Sequence, residues 1–365
     1  MKKKVLILVG TLNLDGATTW TLNLSKYLDQ EHFESKVIVF NHVNDNERVQ
    51  AMVADQNAEI QVLNAANHKL NPLDHWKLYR AIRDYGPDVT INANMHLAFS
   101  LRLISKMVGA KNIQVFHNRF DSYKALVRLQ EQVTRGLSTR LVASSTAVNK
   151  TMGENKRKVV IFNAAESRPI KDPTKYVEKY NLEKYRRVYL NIARHHPQKN
   201  QESLVRGFAK FAKSNPDCVL LMVGWGELED QLKAAHREVG SPENVILTGP
   251  ISDAWNLYGI SDFFVLPSHH EGLPMALVEA TGAGTPSIVT DLPELAEIAK
   301  GNAIIVKGFD ADAIAVALEK SASLSDIEYE QMKRQAMEVY NGRFNPRAMT
   351  ASYEEVFDEI LKDAA

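Results

Sequence analysis

The chain has 365 residues, 45% of them hydrophobic and 24% charged, and its formal net charge is zero. That is the composition of an ordinary soluble globular protein, long enough for two domains at roughly 100–200 residues each. The single cysteine, Cys218, excludes an internal disulfide and points to a cytosolic location.

The zero net charge hides an asymmetry. Residues 1–165 hold 22 Lys and Arg against 14 Asp and Glu, and the remainder holds 22 against 30. Between residues 100 and 160 there are 12 basic residues and 3 acidic ones. This bias suggests an anionic partner for the first half, although a solvated basic face has the same composition.

The N-terminus reads MKKKVLILVG. Its apolar run is about six residues, too short for a signal core or a membrane span, so Val5 to Val9 is expected to be a first buried strand. Apolar runs then recur as SKVIVF, IQVL, VTINAN, IQVFH, RLVASS and KVVIFN. After Asn163 the chain turns polar in AAESRPIKDPTKY, which predicts a domain boundary there. A second series follows: RVYLNIA, VLLMVG, NVILTG, FFVLPS, PSIVTD and AIIVK. Runs that are apolar throughout suit parallel strands covered on both faces. Leu22, Leu24 and Leu28, and later Leu204, Phe208 and Phe211, supply helical stripes between them. The expectation is α/β, with two doubly wound domains at 1–165 and 166–345. Residues 346–365 form a closing amphipathic helix that returns to the first domain, its apolar face being Met349, Tyr353, Val356, Phe357 and Ile360.

Ligands of open parallel sheets bind at the carboxyl ends of the strands. The richest such loop is SHHEGLPMALVEATGAG. Pro274 suits a first helical position, and the free amides around Leu273 to Ala276 would receive phosphate oxygens. Glu271 precedes that site, and Glu279 lies eight positions further on. A carboxylate one turn into the helix suits the two hydroxyls of a ribose. A second loop, ARHHPQKN, places Arg194 and Lys199 after the first strand of the second half, where two cations can clamp a diphosphate.

In this order the motifs resemble the GT4 group of nucleotide-sugar glycosyltransferases, over nearly the whole chain. The resemblance implies a GT-B fold, two Rossmann-like domains facing a central cleft. It also implies a retaining transfer without a metal or cofactor, the nucleoside-diphosphate sugar being a co-substrate. Carried over, Glu271 contacts the donor sugar and Glu279 the ribose. Arg194 and Lys199, with Gly272, Leu273, Pro274 and Met275, hold the diphosphate, and backbone near Pro250 and Ile251 contacts the base. His117, at the end of IQVFH, matches a histidine near the reaction centre. The first loop, LDGATTW, departs from the usual two glycines and Ala-Glu, but Gly16 still lets backbone approach a phosphate. The catalytic set so implied is Arg194, Lys199, Glu271 and His117.

Other features carry less. GWGELE lacks the third glycine of a dinucleotide fingerprint. Asp310-Ala311-Asp312 is read as a polar loop rather than a metal site. The neighbouring pairs His195-His196 and His269-His270 point apart on extended chain. No nucleic-acid motif is present.

The function expected is transfer of a sugar, from a UDP-sugar by preference, to a hydroxyl of a lipid-linked or cell-surface glycan precursor. The alternatives are a nucleotide-sugar 2-epimerase on the same fold and a non-catalytic nucleotide-sugar-binding subunit. The segment FDSYKALVRLQEQVTRGL adds a location. It puts Lys124, Arg128 and Arg135 on one helical face and Leu126, Leu129, Val133 and Leu137 on another. That pattern suits a cytoplasmic protein resting on the inner face of the membrane, or equally a core-facing apolar stripe.

Overall fold

A computed structural model describes residues 2–13, 15–56, 58–65 and 71–362. The chain divides into two compact units, residues 1–165 with 346–365, and residues 166–345. The first unit begins β1 (Lys3–Val9), α1 (Gly16–Tyr27), β2 (Phe33–Val39), α2 (Glu47–Ala54), β3 (Glu59–Val62) and α3 (Pro72–Tyr85). It goes on through β4 (Val89–Asn92), α4 (Ala98–Val108), β5 (Lys111–Phe116), α5 (Ala125–Thr134), β6 (Arg140–Ala143), α6 (Thr146–Thr151) and β7 (Lys158–Val160). The second unit opens with α7 (Thr174–Lys179), β8 (Arg187–Ile192), α8 (Gln201–Ala212), β9 (Cys218–Val223), α9 (Glu229–Glu238) and β10 (Val245–Gly249). Then come β11 (Phe263–Leu266), α10 (Met275–Gly282), β12 (Ser287–Thr290), β13 (Ala303–Val306), α11 (Ala311–Ala322) and α12 (Asp326–Val339). The chain then returns to the first unit as α13 (Pro346–Lys362).

The first sheet has the order β3-β2-β1-β4-β5-β6-β7 and the second β10-β9-β8-β11-β12-β13. All strand pairs are parallel. Strand order reverses between β1 and β4 in one sheet, and between β8 and β11 in the other. Those two switch points are where loops diverge to opposite faces and leave a crevice.

Burial explains the apolar runs. In β1, Val5, Ile7 and Val9 enter one core while Leu6 and Leu8 enter another, because successive side chains alternate and both faces are covered. The stripe on α13 buries Met349, Tyr353, Val356, Phe357 and Ile360 in the first of those cores. There Phe357 meets Phe33 edge-on at 5.6 Å between centroids. Cys218 is fully buried at the start of β9, and burial pushes its thiol up to about 11. Among the described residues no helix is long and apolar enough to cross a membrane.

Two sequence expectations need correction. Asp310 ends the loop as the cap of α11, its carboxylate accepting from the Ala313 amide at 2.9 Å, but Ala311 and Asp312 already lie in the helix, where Asp312 pairs with Lys210 at 2.6 Å. Of the two readings of the Leu126, Leu129, Val133 and Leu137 stripe, the core-facing one is excluded, since all four are exposed. Nor are the three basic residues one free face. Lys124 is exposed and Arg128 half-buried, while Arg135 lies over the Phe120 ring and donates to the Met152 carbonyl.

The buried side of α5 is unexpectedly polar. Arg102 of α4, fully buried, donates to Ser138 and Thr134 at 2.7 Å and to Glu131 at 2.9 Å. Ser138 donates on to Asn112, whose amide reaches Thr90. A buried guanidinium needs such complete matching, because an unpaired charge there is far costlier than the pair is stabilising. Glu131→Ala should therefore destabilise the first unit by about 3–5 kcal/mol in urea unfolding. Arg102→Met with Glu131→Leu should cost less than Glu131→Ala alone; if it costs more, the pair is not held by charge matching.

Candidate functional site

The second unit concentrates polar side chains at its switch point. After β8 the chain makes a short turn at Pro197–Lys199 and leaves Asn200 in the left-handed region, φ 54°. The Asn200 amide pins this turn by donating to the carbonyls of Pro267, just past β11, and Phe309. The turn carries Lys199 to Glu271, Nζ to Oε1 2.7 Å. Ser268 donates to the same carboxylate oxygen at 2.6 Å, and Gln198 to the other at 3.2 Å. Gln198 also donates to the His270 carbonyl, and Thr290 to the Ser268 carbonyl. Glu271 is only 5% exposed, and these donors are what a carboxylate needs when water is largely excluded.

Helix α10 starts one residue later than the sequence suggests. Pro274 is its cap, in extended conformation, and Met275 its first residue. Leu277 and Val278 donate to the Pro274 carbonyl. Among the described residues the amides of Gly272, Leu273, Met275 and Ala276 meet no protein acceptor. They form a row of donors directly after the buried Glu271, with the positive end of the helix dipole behind them. One turn in, Glu279 is half-buried beside Tyr258, whose hydroxyl lies 2.9 Å from the Ala276 carbonyl and 3.4 Å from Glu279 Oε2. At the far end of the helix a Cβ on Gly282 would sit 2.7 Å from the Tyr340 ring, so the small-residue run after Glu279 is set by close packing.

The neighbouring loops follow the same edge. A Cβ on Gly224 would lie 2.0 Å from the Ala193 carbonyl, and one on Gly226 2.2 Å from that of His195. The glycines thus let the loop after β9 lie flat on the loop after β8, and they lift Trp225 into solvent, 68% exposed. His195 is buried beneath them, Nδ1 2.6 Å from Glu229, whereas His196 turns toward Glu227 at 3.4 Å. Arg194 is exposed, its nearest carboxylate being Glu227 at 4.0 Å, so it does not share a partner with Lys199. Pro250 and Ile251 follow β10. Their loop is anchored by Asp253, which accepts from Lys175, Tyr176 and Asn256; the Lys175 ammonium above all holds its carboxyl down to about 2. Among the described residues no group of three or more His, Cys, Asp or Glu could hold a metal ion.

In the first unit, Asp15 caps α1 by accepting from the Thr18 amide at 2.8 Å, and Gly16 is the first helical residue. His117 follows β5. Asn163 donates to its Nδ1 at 3.1 Å, and Trp20 packs edge-on against it at 4.9 Å. Its Nε2 is sealed from solvent without a protein partner among the described residues. Burial lowers this imidazole to about 4, so it is neutral near pH 7.

The structure thus brings Lys199, Glu271 and the start of α10 together, with Glu279 one turn on. Three contributors escaped sequence reasoning. Ser268, three residues before Glu271, carried a local signal in its spacing. Gln198 and Tyr258 act through positions the fold alone defines.

Residues 172–339 match the family model described as Glycosyl transferases group 1. The chain is 26% identical over 239 residues to an uncharacterised glycosyltransferase of Methanocaldococcus jannaschii, covering 59% of this chain and 58% of that one. It is 34% identical over 123 residues to the UDP-Gal:alpha-D-GlcNAc-diphosphoundecaprenol alpha-1,3-galactosyltransferase of Escherichia coli, covering 33% and 30%. The chain therefore spans less than two thirds of either relative. Among solved structures, Anabaena HepE in complex with UDP-glucose matches 98% of this chain and 99% of its own, with TM-score 0.79 and 16% identity. That likeness establishes the fold, two parallel-sheet Rossmann-like domains of the GT-B type. Residues 172–339, which lie within the second unit, thus carry the likeness to a glycosyltransferase family model.

The neutral His117 has a consequence for acid stability. Its folded pKa, about 4, lies below the ordinary 6.5, so the unfolded chain takes up the proton first. Stability of the first unit should fall as pH drops from about 6.5 to about 4. Urea unfolding of wild type and His117→Asn across that window tests this. The variant should lose less stability than wild type; parallel curves would show that His117 is not the group responsible.

Proposed function

We propose that the protein is a retaining glycosyltransferase that moves a sugar from a nucleoside-diphosphate donor, UDP-sugar by preference, to an acceptor hydroxyl. One observation carries this reading: a row of unsatisfied amides at the start of α10 follows directly on the buried Lys199–Glu271 pair. Amides and an ammonium suit a diphosphate, and a fixed carboxylate beside them suits sugar hydroxyls. Glu279 then takes the ribose diol, with Tyr258 steadying one of its oxygens. Backbone at Pro250 and Ile251 takes the base, and Arg194 supplies a second cation. In the first unit the reading assigns Gly16 to a phosphate approach, and His117, as a neutral imidazole, to hydrogen bonding rather than charge.

The chemistry needs little covalent help from the protein. The bond from the anomeric carbon to the diphosphate oxygen breaks as negative charge grows on the leaving group. Lys199 and the amides of Gly272, Leu273 and Met275 stabilise that charge without reorganising, and Arg194 turns in from solvent to join them. The acceptor oxygen attacks from the same face, and its proton passes to the departing phosphate oxygen. Neither a metal nor a cofactor enters this reading. A donor of the UDP class is supported by the HepE complex with UDP-glucose and by the UDP-Gal in the name of the E. coli relative. The diphosphoundecaprenol in that name supports a lipid-linked glycan acceptor, and the lone buried Cys218 a cytoplasmic setting.

Thermal shift with UDP-, GDP- and ADP-sugars identifies the donor, since a ligand bound only to the folded state raises apparent stability. With that donor, Lys199→Ala should lower transfer by roughly 10²-fold, as for the loss of one preorganised charge-stabilising donor. Glu279→Ala should mainly raise the donor KM, and Glu271→Ala should also lower kcat. Wild-type turnover in folded Lys199→Ala protein would sink the reading, and donor turnover without any acceptor would favour the epimerase.

A further inference from the structure

Helices α4 and α5 turn an apolar surface to solvent. On α4, Phe99, Leu103 and Met107 recur every fourth residue; on α5, Leu126, Leu129 and Val133 lie on one face. These six side chains are between 39% and 76% exposed. The opposite faces are accounted for by Leu101, Arg102 and Ser105 on α4 and by Val127, Glu131 and Thr134 on α5, all buried.

The two stripes belong to one surface. The strands β4, β5 and β6 are consecutive in the sheet, so the crossovers through α4 and α5 step in the same direction. Right-handed crossovers in one direction place both helices on the same face of the sheet. The Arg102 bonds to Glu131 and Thr134 then lock them side by side. A monomer seldom leaves a contiguous apolar area of this kind uncovered unless something binds there.

The charges select the occupant. Between them the two helices contain one carboxylate, Glu131, and it is 1% exposed beneath the Arg102 guanidinium. Lys106 of α4 and Lys124, at the start of α5, are exposed. On the helices themselves large apolar side chains are thus joined by cations and by no exposed anion; Asp121, exposed just ahead of Lys124, is paired with Arg119 at 2.8 Å. A second copy of the chain fits this badly, since a twofold interface would set the cationic patch against itself. An anionic bilayer supplies both complements, an acyl boundary for the leucines and methionine and lipid phosphates for the lysines. We propose that the α4–α5 face docks the protein on an anionic membrane surface. The inference does not depend on the donor chemistry.

Co-sedimentation of the full chain with vesicles tests it. One set is phosphatidylcholine alone, the other a mixture of phosphatidylcholine and phosphatidylglycerol, at low and physiological salt. Binding to the mixed vesicles, weakening with salt, is expected. Lys106→Gln and Lys124→Gln should each reduce partition about fivefold. The triple variant Leu126→Gln, Leu129→Gln, Val133→Gln should reduce it at least about tenfold, because each apolar group leaves the acyl boundary. These side chains are exposed, so thermal unfolding and donor-induced stabilisation should match wild type in every variant. That control separates failure of this proposal from failure of the donor assignment. No binding to mixed vesicles, or equal binding to both sets, would overturn it. So would light scattering that shows a wild-type dimer which the triple variant dissolves.

Discussion

A parallel strand needs a crossover before its neighbour can form, so all strands in such a sheet end on one edge. Both sheets here obey this throughout, and the chemistry follows from it. The loops after β8, β9, β10 and β11 must share an edge, however distant they are in sequence. Lys199 and Glu271 are 72 positions apart, yet they follow adjacent strands, β8 and β11, at the point where strand order reverses. No loop lies between those strand ends to fill the crevice, so polar groups can meet there. Arg194, on the same loop as Lys199, faces solvent because the turn at Pro197–Lys199 carries only the second cation inward.

Glu271 is the costliest group in that crevice, and its neighbours show how the cost is contained. A carboxylate sheltered from water needs several donors, and it has Lys199, Ser268 and Gln198. Two of these are themselves fixed, Ser268 through its carbonyl to Thr290 and Gln198 through His270. Losing one donor would leave a charge partly bare, so the arrangement resists change. The amides of α10 are the opposite case. They stay partly open to water at a helix end, where unsatisfied donors are normal and cost little. A rigid carboxylate and an open anion cradle side by side make a site prepared for a ligand with both hydroxyls and phosphates.

The strands were legible because burial on both faces writes a continuous apolar run, as in β1 and β9, and the parallel topology then follows from the helical stretches between them. The loop before α10 was legible because its residues are contiguous: Glu271, the Gly-Leu-Pro turn and Glu279 keep their spacing in any fold. Even there the helix start slipped by one residue, since proline serves as cap or first residue with similar ease. What stayed hidden was long-range. Tyr258 reaches Glu279 across 21 positions from a segment with no periodic signal. Gln198 reads as one more polar residue in a basic loop. The α5 stripe was ambiguous for a different reason, because periodicity identifies a face but not its direction. Only the buried Arg102 network, which claims the other side of α5, shows that the leucines point outward.

That network also explains why so much apolar surface can stay exposed without loosening the helices that carry it. In most surface helices the apolar stripe is what holds the helix down. In α5 that task falls largely to polar groups: Glu131 and Thr134 bind Arg102, and Arg102 reaches on to Ser138 beyond the helix. Val127 is the buried apolar residue on the same side. Since the fold does not need Leu126, Leu129 and Val133 inward, their size and hydrophobicity are left unexplained by folding. Polar residues at those positions would be at least as soluble and equally compatible with a helix. Large apolar side chains in solvent, carried on helices whose single carboxylate is buried, are therefore better read as a surface shaped by what it touches than as a remainder of the core.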